Sequence, residues 1–188
     1  MHTEPHSPWQ NQAEYAIGEV KQYARKIMQR NNTPIRLWCF CYEYSADVLS
    51  LLATGRFELQ GRTPYEAVLN YTPDISEYVS FGWFQWCWYF DESMKARRLC
   101  RWLGPAHGVG QSFCSYIILD NASFIARSTV IPVPEHELKS LEVQCKDFMT
   151  RLESKIGNAR HPIYNVTDPD EIYYSTFGDS KEEDDNLL

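Results

Sequence analysis

Apolar residues recur at three- and four-residue steps near the start of the chain: Ala13, Ala16, Ile17, Val20, Ala24, Ile27 and Met28. That spacing predicts an amphipathic helix over 11–31. Asn11 is placed to cap it, with Glu14 three residues on. Asn31-Asn32-Thr33-Pro34 ends it, because proline disfavours helix at the preceding residue. A second helix is predicted from Ile35 to Thr54, with Gly55 just past its end. Trp38, Tyr42, Ala46, Leu49 and Ala53 line one face, and Leu37, Cys41, Tyr44, Val48 and Leu51 another. Two apolar faces call for burial against more than one neighbour. Only one helix precedes this one, so part of its core is expected to be missing and a large apolar patch exposed.

Residues 61–75 read as a connection with a short helix. Thr63 caps, Pro64 suits the first helical position and Glu66 falls at the third. Thr72-Pro73-Asp74 ends it. Strand patterns follow at Tyr78–Phe81, Trp83–Phe90, Leu99–Leu103, Ser112–Leu119 and Ser123–Val133, rich in aromatic and β-branched residues. Asp91-Glu92-Ser93, Gly104-Pro105, Gly108-Val109-Gly110 and Asp120-Asn121 separate them, the last as a tight hairpin. Five short strands, with four of the six Trp among them, fit a small curled barrel. A helix is predicted over Glu135–Ile156, carrying Leu138, Leu141, Cys145, Phe148, Met149 and Leu152 on one stripe. From Gly157 the periodicity dissolves into an acidic tail that is expected to be disordered. There is no internal repeat.

Charge changes this picture only once it is located. The net −7 over 188 residues looks adverse to nucleic acid. Residues 1–133, however, carry twelve Lys and Arg against twelve Asp and Glu. Residues 134–188 carry six against thirteen, so the whole excess lies in the last quarter. No apolar run is long enough to span a membrane, and no signal peptide is readable in Met1 to Gln10. Cys39, Cys41, Cys87, Cys100, Cys114 and Cys145 sit mostly among apolar residues, which points to reduced buried thiols in an intracellular protein. Cys39-x-Cys41 lacks the spacing and the second pair of a zinc site.

Glu14 admits two readings. One is a helix-capping carboxylate; the other is a metal ligand. A two-metal site needs several carboxylates, and Glu19, Glu43 and Asp47 do not fall where they would complete one. The ordered set of motifs goes further. Asn11-x-Ala13-Glu14, the Trp38–Leu52 helix, Thr63-Pro64-Tyr65-Glu66, Phe81-Gly82, Arg98-Leu99-Cys100-Arg101-Trp102-Leu103-Gly104 and the closing Ile125-Ala126-Arg127-Ser128-Thr129-Val130 resemble the integrase of copia-type LTR retrotransposons, found within Gag-Pol polyproteins. The resemblance covers about residues 7–137.

It implies an α+β chain. Residues 1–75 would be the C-terminal helices of a truncated RNase H-like integrase core, and 76–133 an SH3-like small β-barrel. A helix would follow at 134–156, and an acidic tail at 157–188. Glu14 falls on the last carboxylate of the family's D,D,E triad, which holds two Mg²⁺ ions for DNA strand transfer in the complete enzyme. No Asp stands among the thirteen residues before Glu14, and the family's His/Cys zinc module has no counterpart here. The chain is therefore expected to be inactive alone, to bind no Mg²⁺ tightly, and to retain DNA-binding or structural roles.

By the same resemblance the candidate DNA contacts are Lys21, two turns beyond Glu14, and the group Lys95, Arg97, Arg98 and Arg101 beside Trp102. Cations interleaved with aromatics suit phosphate contact and base stacking. Trp83, Trp86 and Trp88 do not make an aromatic cage, since strand alternation puts Trp83 opposite the other two; core packing is expected of them. The expected partners are DNA and a second copy covering the open helix face, with no membrane, in the nucleus or cytoplasm. The alternative is a non-catalytic DNA- or chromatin-binding module, or an inactive α+β domain.

Overall fold

The computed structural model describes residues 8–53, 59–107 and 116–161. Two units divide the chain: Met1–Gly18 with Pro162–Leu188, and Glu19–His161. Of the first, the described part is the opening of helix α1 (Pro8–Arg30). That helix starts at Pro8, a residue suited to a first turn because its missing N–H is not needed there. Asn11 is therefore inside the helix rather than its cap, and Glu14 lies beyond the first turn.

The second unit is α+β. After α1, a 3₁₀ turn at Ile35–Leu37 leads into α2 (Trp38–Leu51), so the predicted second helix is shorter at both ends. Gly55 lies outside the described residues. Short helices α3 (Pro64–Leu69) and α4 (Ser76–Val79) follow. Then come β1 (Trp86–Asp91), β2 (Ala96–Pro105), β3 (Tyr116–Asp120), β4 (Ser123–Arg127) and β5 (Val130–Pro132), then α5 (Glu135–Leu138) and α6 (Glu142–Ile156). The strands form one antiparallel sheet in the order β4-β3-β2-β1-β5, and the sheet is not closed. The Gly108-Val109-Gly110 turn, Ser112 to Ser115 with Cys114, and the acidic tail from Pro162 lie outside the described residues.

Four expectations are corrected. Tyr78–Phe81 is not a strand. Asp74 Oδ1 accepts the Ser76 backbone N–H at 2.9 Å and the Ser76 hydroxyl at 2.6 Å, a local turn that leads into the short helix α4 instead. Trp83 and Phe84 form a turn before β1, with Phe84 at φ 58°. Ser123–Val133 is two strands, because Ser128 and Thr129 interrupt it, and the second turns back to pair with β1. The last helix is likewise broken at Lys139–Leu141.

One cluster of buried side chains joins helices and sheet. Ala24 and Met28 of α1, Cys41 and Tyr44 of α2, and Trp83, Cys87, Tyr89, Cys100, Trp102 and Ile118 belong to it. Tyr44 meets Trp83 and Trp102 with ring centroids 5.6 Å apart in each case. Trp83 Nε1 donates to the buried Thr33 hydroxyl at 3.1 Å, tying the turn before β1 to the end of α1. On the other side of the sheet, α6 lays Phe148 against Trp86, centroids 5.2 Å apart. Trp38 and Leu52 remain about half exposed, so part of the α2 surface is open to solvent.

The register shifts between Trp102 and Gly104 where β2 pairs β3. Gly104 holds φ 145°, a backbone setting that side chains resist, so glycine suits this bulge.

A candidate nucleic-acid interface on the first hairpin

β1 and β2 pair from Trp86↔Arg101 to Asp91↔Ala96 and are joined by the turn Glu92–Lys95. Asp91 organises that turn. Its Oδ1 accepts the Ser93 hydroxyl at 2.6 Å, the Ser93 N–H at 3.0 Å and, at 3.4 Å, the Met94 N–H. Its Oδ2 accepts from Arg98 Nη1 at 3.1 Å. The Ser93 hydroxyl, then Arg98, hold the Asp91 carboxyl down at about 2. Lys95 closes the turn at φ 49°, a left-handed setting.

The four cations of this region meet different fates. Lys95 and Arg97 are exposed, and among the described residues no acid pairs with either. Arg98 is braced instead. Besides Asp91, its Nη2 lies 2.8 Å from Oδ2 of Asp120, a buried carboxylate that also accepts the Tyr89 hydroxyl at 2.7 Å. Burial, then the hydrogen bond to Asp120, pushes the Tyr89 phenol above its ordinary value.

Arg101 turns into the protein. Its guanidinium carbon lies 3.4 Å from the Trp86 ring centroid and 4.3 Å from that of Phe84. It donates to the Phe84 carbonyl, and its Nη2 is 3.9 Å from Met149 Sδ of α6. Burial lowers its pKa to about 9; the aromatic faces and the carbonyl nevertheless suit the charged form. Arg101 thus staples α6 to the sheet, whereas Lys95 and Arg97 face solvent.

Lys21 is half-buried on α1 and Glu14 is exposed on it. Among the described residues no group of three or more His, Cys, Asp or Glu is placed to hold a metal ion. Among the described residues Glu14 is a single exposed carboxylate, which by itself does not make a two-metal centre. Trp83 is buried, and Trp86 carries Arg101 over its ring face and meets Phe148 edge to face, as expected of packing residues. Cys39, Cys41, Cys87, Cys100 and Cys145 are free thiols. Burial raises Cys41 and Cys87 to about 12.

Two clusters escaped the sequence reading. Asp120 reads locally as a turn residue, and only strand register brings it to Arg98 and Tyr89. At the end of β2, His107 Nε2 lies 2.9 Å from Asp47 Oδ2 and 3.1 Å from the Tyr78 hydroxyl, which itself donates to Asp47 at 2.9 Å. That cluster joins α2, α4 and the end of β2, and no spacing in the chain announces it.

No family model, curated protein or solved structure matches the chain. Among the described residues no helix is long and apolar enough to cross a membrane.

Proposed function

We propose that this chain is the C-terminal part of a copia-type retrotransposon integrase, and that its sheet is a partly open SH3-like barrel that contacts DNA phosphates through Lys95 and Arg97. The strand order carries the reading: a four-strand meander whose fifth strand returns beside the first is the SH3-like connectivity. The helices before it, with Glu14 on the first and Trp38 opening the second, stand as the end of an RNase H-like core. The DNA-facing set is narrower than the basic cluster in the sequence, because Arg98 and Arg101 are engaged within the protein. Within these residues the role is binding and positioning, with Glu14 as one carboxylate of a catalytic set.

Anisotropy of a labelled duplex titrated with the full chain across a salt series tests this. Each phosphate neutralised adds about 0.9 to the slope of log K against log salt. Lys95→Gly with Arg97→Gln should therefore flatten the slope by about 1.8. An unchanged slope removes the two cations from the interface, and no binding by the unaltered chain removes the DNA reading.

A further inference from the structure

The end of the first hairpin is not wholly polar. Met94, in the turn, is 65% exposed, and Phe90, on the strand leading to it, 54%. Phe90 stands directly opposite Arg97 across the hairpin, and Lys95 follows Met94. Single exposed apolar residues are ordinary. This pair differs in its setting, beside two exposed cations and at a turn already fixed by Asp91. The Arg98 guanidinium that braces Asp91 also lies 3.7 Å from Met94 Sδ. The tip is therefore ordered before any partner arrives, which lowers the entropy cost of binding there.

We propose that this tip is a wedge for duplex DNA, with Met94 pressing into a base step from the minor groove while Lys95 and Arg97 meet the flanking phosphates. The proposal rests on the DNA-binding reading above and adds to it how the duplex is recognised: by the ease of unstacking a step rather than by base edges. Apolar side chains entering the minor groove unstack and kink the duplex. Pyrimidine–purine steps yield most readily. Methionine, unbranched and polarisable, adapts to an irregular gap. Charge complementarity favours a polyanion. Arg98 is shared between Asp91 and the buried Asp120, and of the exposed charges at the tip Lys95 and Arg97 outnumber Glu92. An anionic lipid surface would also attract the cations, but two apolar side chains at the hairpin end offer little area to insert.

The test uses the full chain and a short duplex carrying 2-aminopurine beside a TA step, with phosphatidylserine vesicles in parallel. Binding should raise the 2-aminopurine fluorescence. Met94→Ala should abolish the rise and weaken binding at fixed salt, with the salt slope unchanged. Met94→Leu should keep the rise. Met94 is exposed, so equal urea midpoints for all three chains establish that the fold is intact. A bound duplex without a rise, or a rise that survives Met94→Ala, overturns the wedge and leaves the DNA reading standing. Failure to bind any duplex overturns the DNA reading and the wedge with it. Binding to vesicles but not to the duplex overturns both and assigns the tip to lipid.

Discussion

Replacing Asp120 by Ala should be among the most damaging single changes in the sheet. Asp120 is 6% exposed and Tyr89 2%. The substitution strands a buried tyrosine hydroxyl that now donates to Asp120 at 2.7 Å. An unsatisfied buried hydroxyl costs about 1–3 kcal/mol. Arg98 also loses one of its two carboxylates, but its side chain is 34% exposed and Asp91 remains. After solvent screening that loss is worth at most ~1 kcal/mol. The expected cost is about 1–4 kcal/mol. Asp120→Asn keeps an acceptor for Tyr89 and should cost about 1–2 kcal/mol. Tyr89→Phe removes the donor, so Asp120→Ala in that background should cost about 1–2 kcal/mol less than in the unaltered chain. Urea unfolding followed by tryptophan fluorescence gives all four values, provided the slope with denaturant stays constant. A cost below ~0.5 kcal/mol for Asp120→Ala, or the same cost with and without the Tyr89 hydroxyl, would refute the reasoning. The hairpin that carries Lys95 and Arg97 would then not be anchored where the contacts put it.

Three further outcomes follow from the same contacts. Arg101→Lys keeps the charge but loses the planar stack on Trp86, so it should cost about 1–2 kcal/mol in urea while leaving the salt slope of DNA binding unchanged. Asp91 is held at about 2 against an ordinary 3.8. Its stabilisation is therefore complete above the ordinary value and is lost as pH falls toward 2. Asp91→Asn should flatten the pH dependence of the urea midpoint in that window, and an unaltered acid limb would contradict the contacts drawn for it. Thr63 Oγ1 accepts the Glu66 N–H at 3.0 Å while Glu66 Oε2 accepts the Thr63 N–H at 2.9 Å. Thr63→Ala should cost about 1 kcal/mol and speed amide exchange in α3.

What could be read from the chain was what local chemistry decides. The Thr63–Glu66 capping box is visible in four letters and forms as expected. The amphipathic stripes of α1 and α6 and the Asp120-Asn121 hairpin were legible for the same reason. Tyr78 reads as strand from its aromatic and β-branched neighbours, whereas the Asp74–Ser76 hydrogen bonds turn the chain just before α4. The break at Ser128-Thr129 carries no Gly or Pro, and only pairing with β1 gives β5 its direction. The candidate site shows the limit most sharply. Arg97, Arg98 and Arg101 look alike in sequence, but strand alternation and register send them to solvent, to two carboxylates and to two aromatic rings respectively. Their fates depend on Asp120, Trp86 and Phe84, and no local spacing announces that those are their neighbours.

The most direct measurement is the salt dependence of duplex binding by the full chain, compared with Lys95→Gly, Arg97→Gln. Lys95→Gly suits the left-handed turn position at φ 49° and so removes the charge without opposing the turn. The account predicts binding whose log–log slope falls by about 1.8 in the double variant, with the urea midpoint unchanged or higher. A slope that does not move while binding persists, or a chain that binds no duplex at low salt, contradicts it.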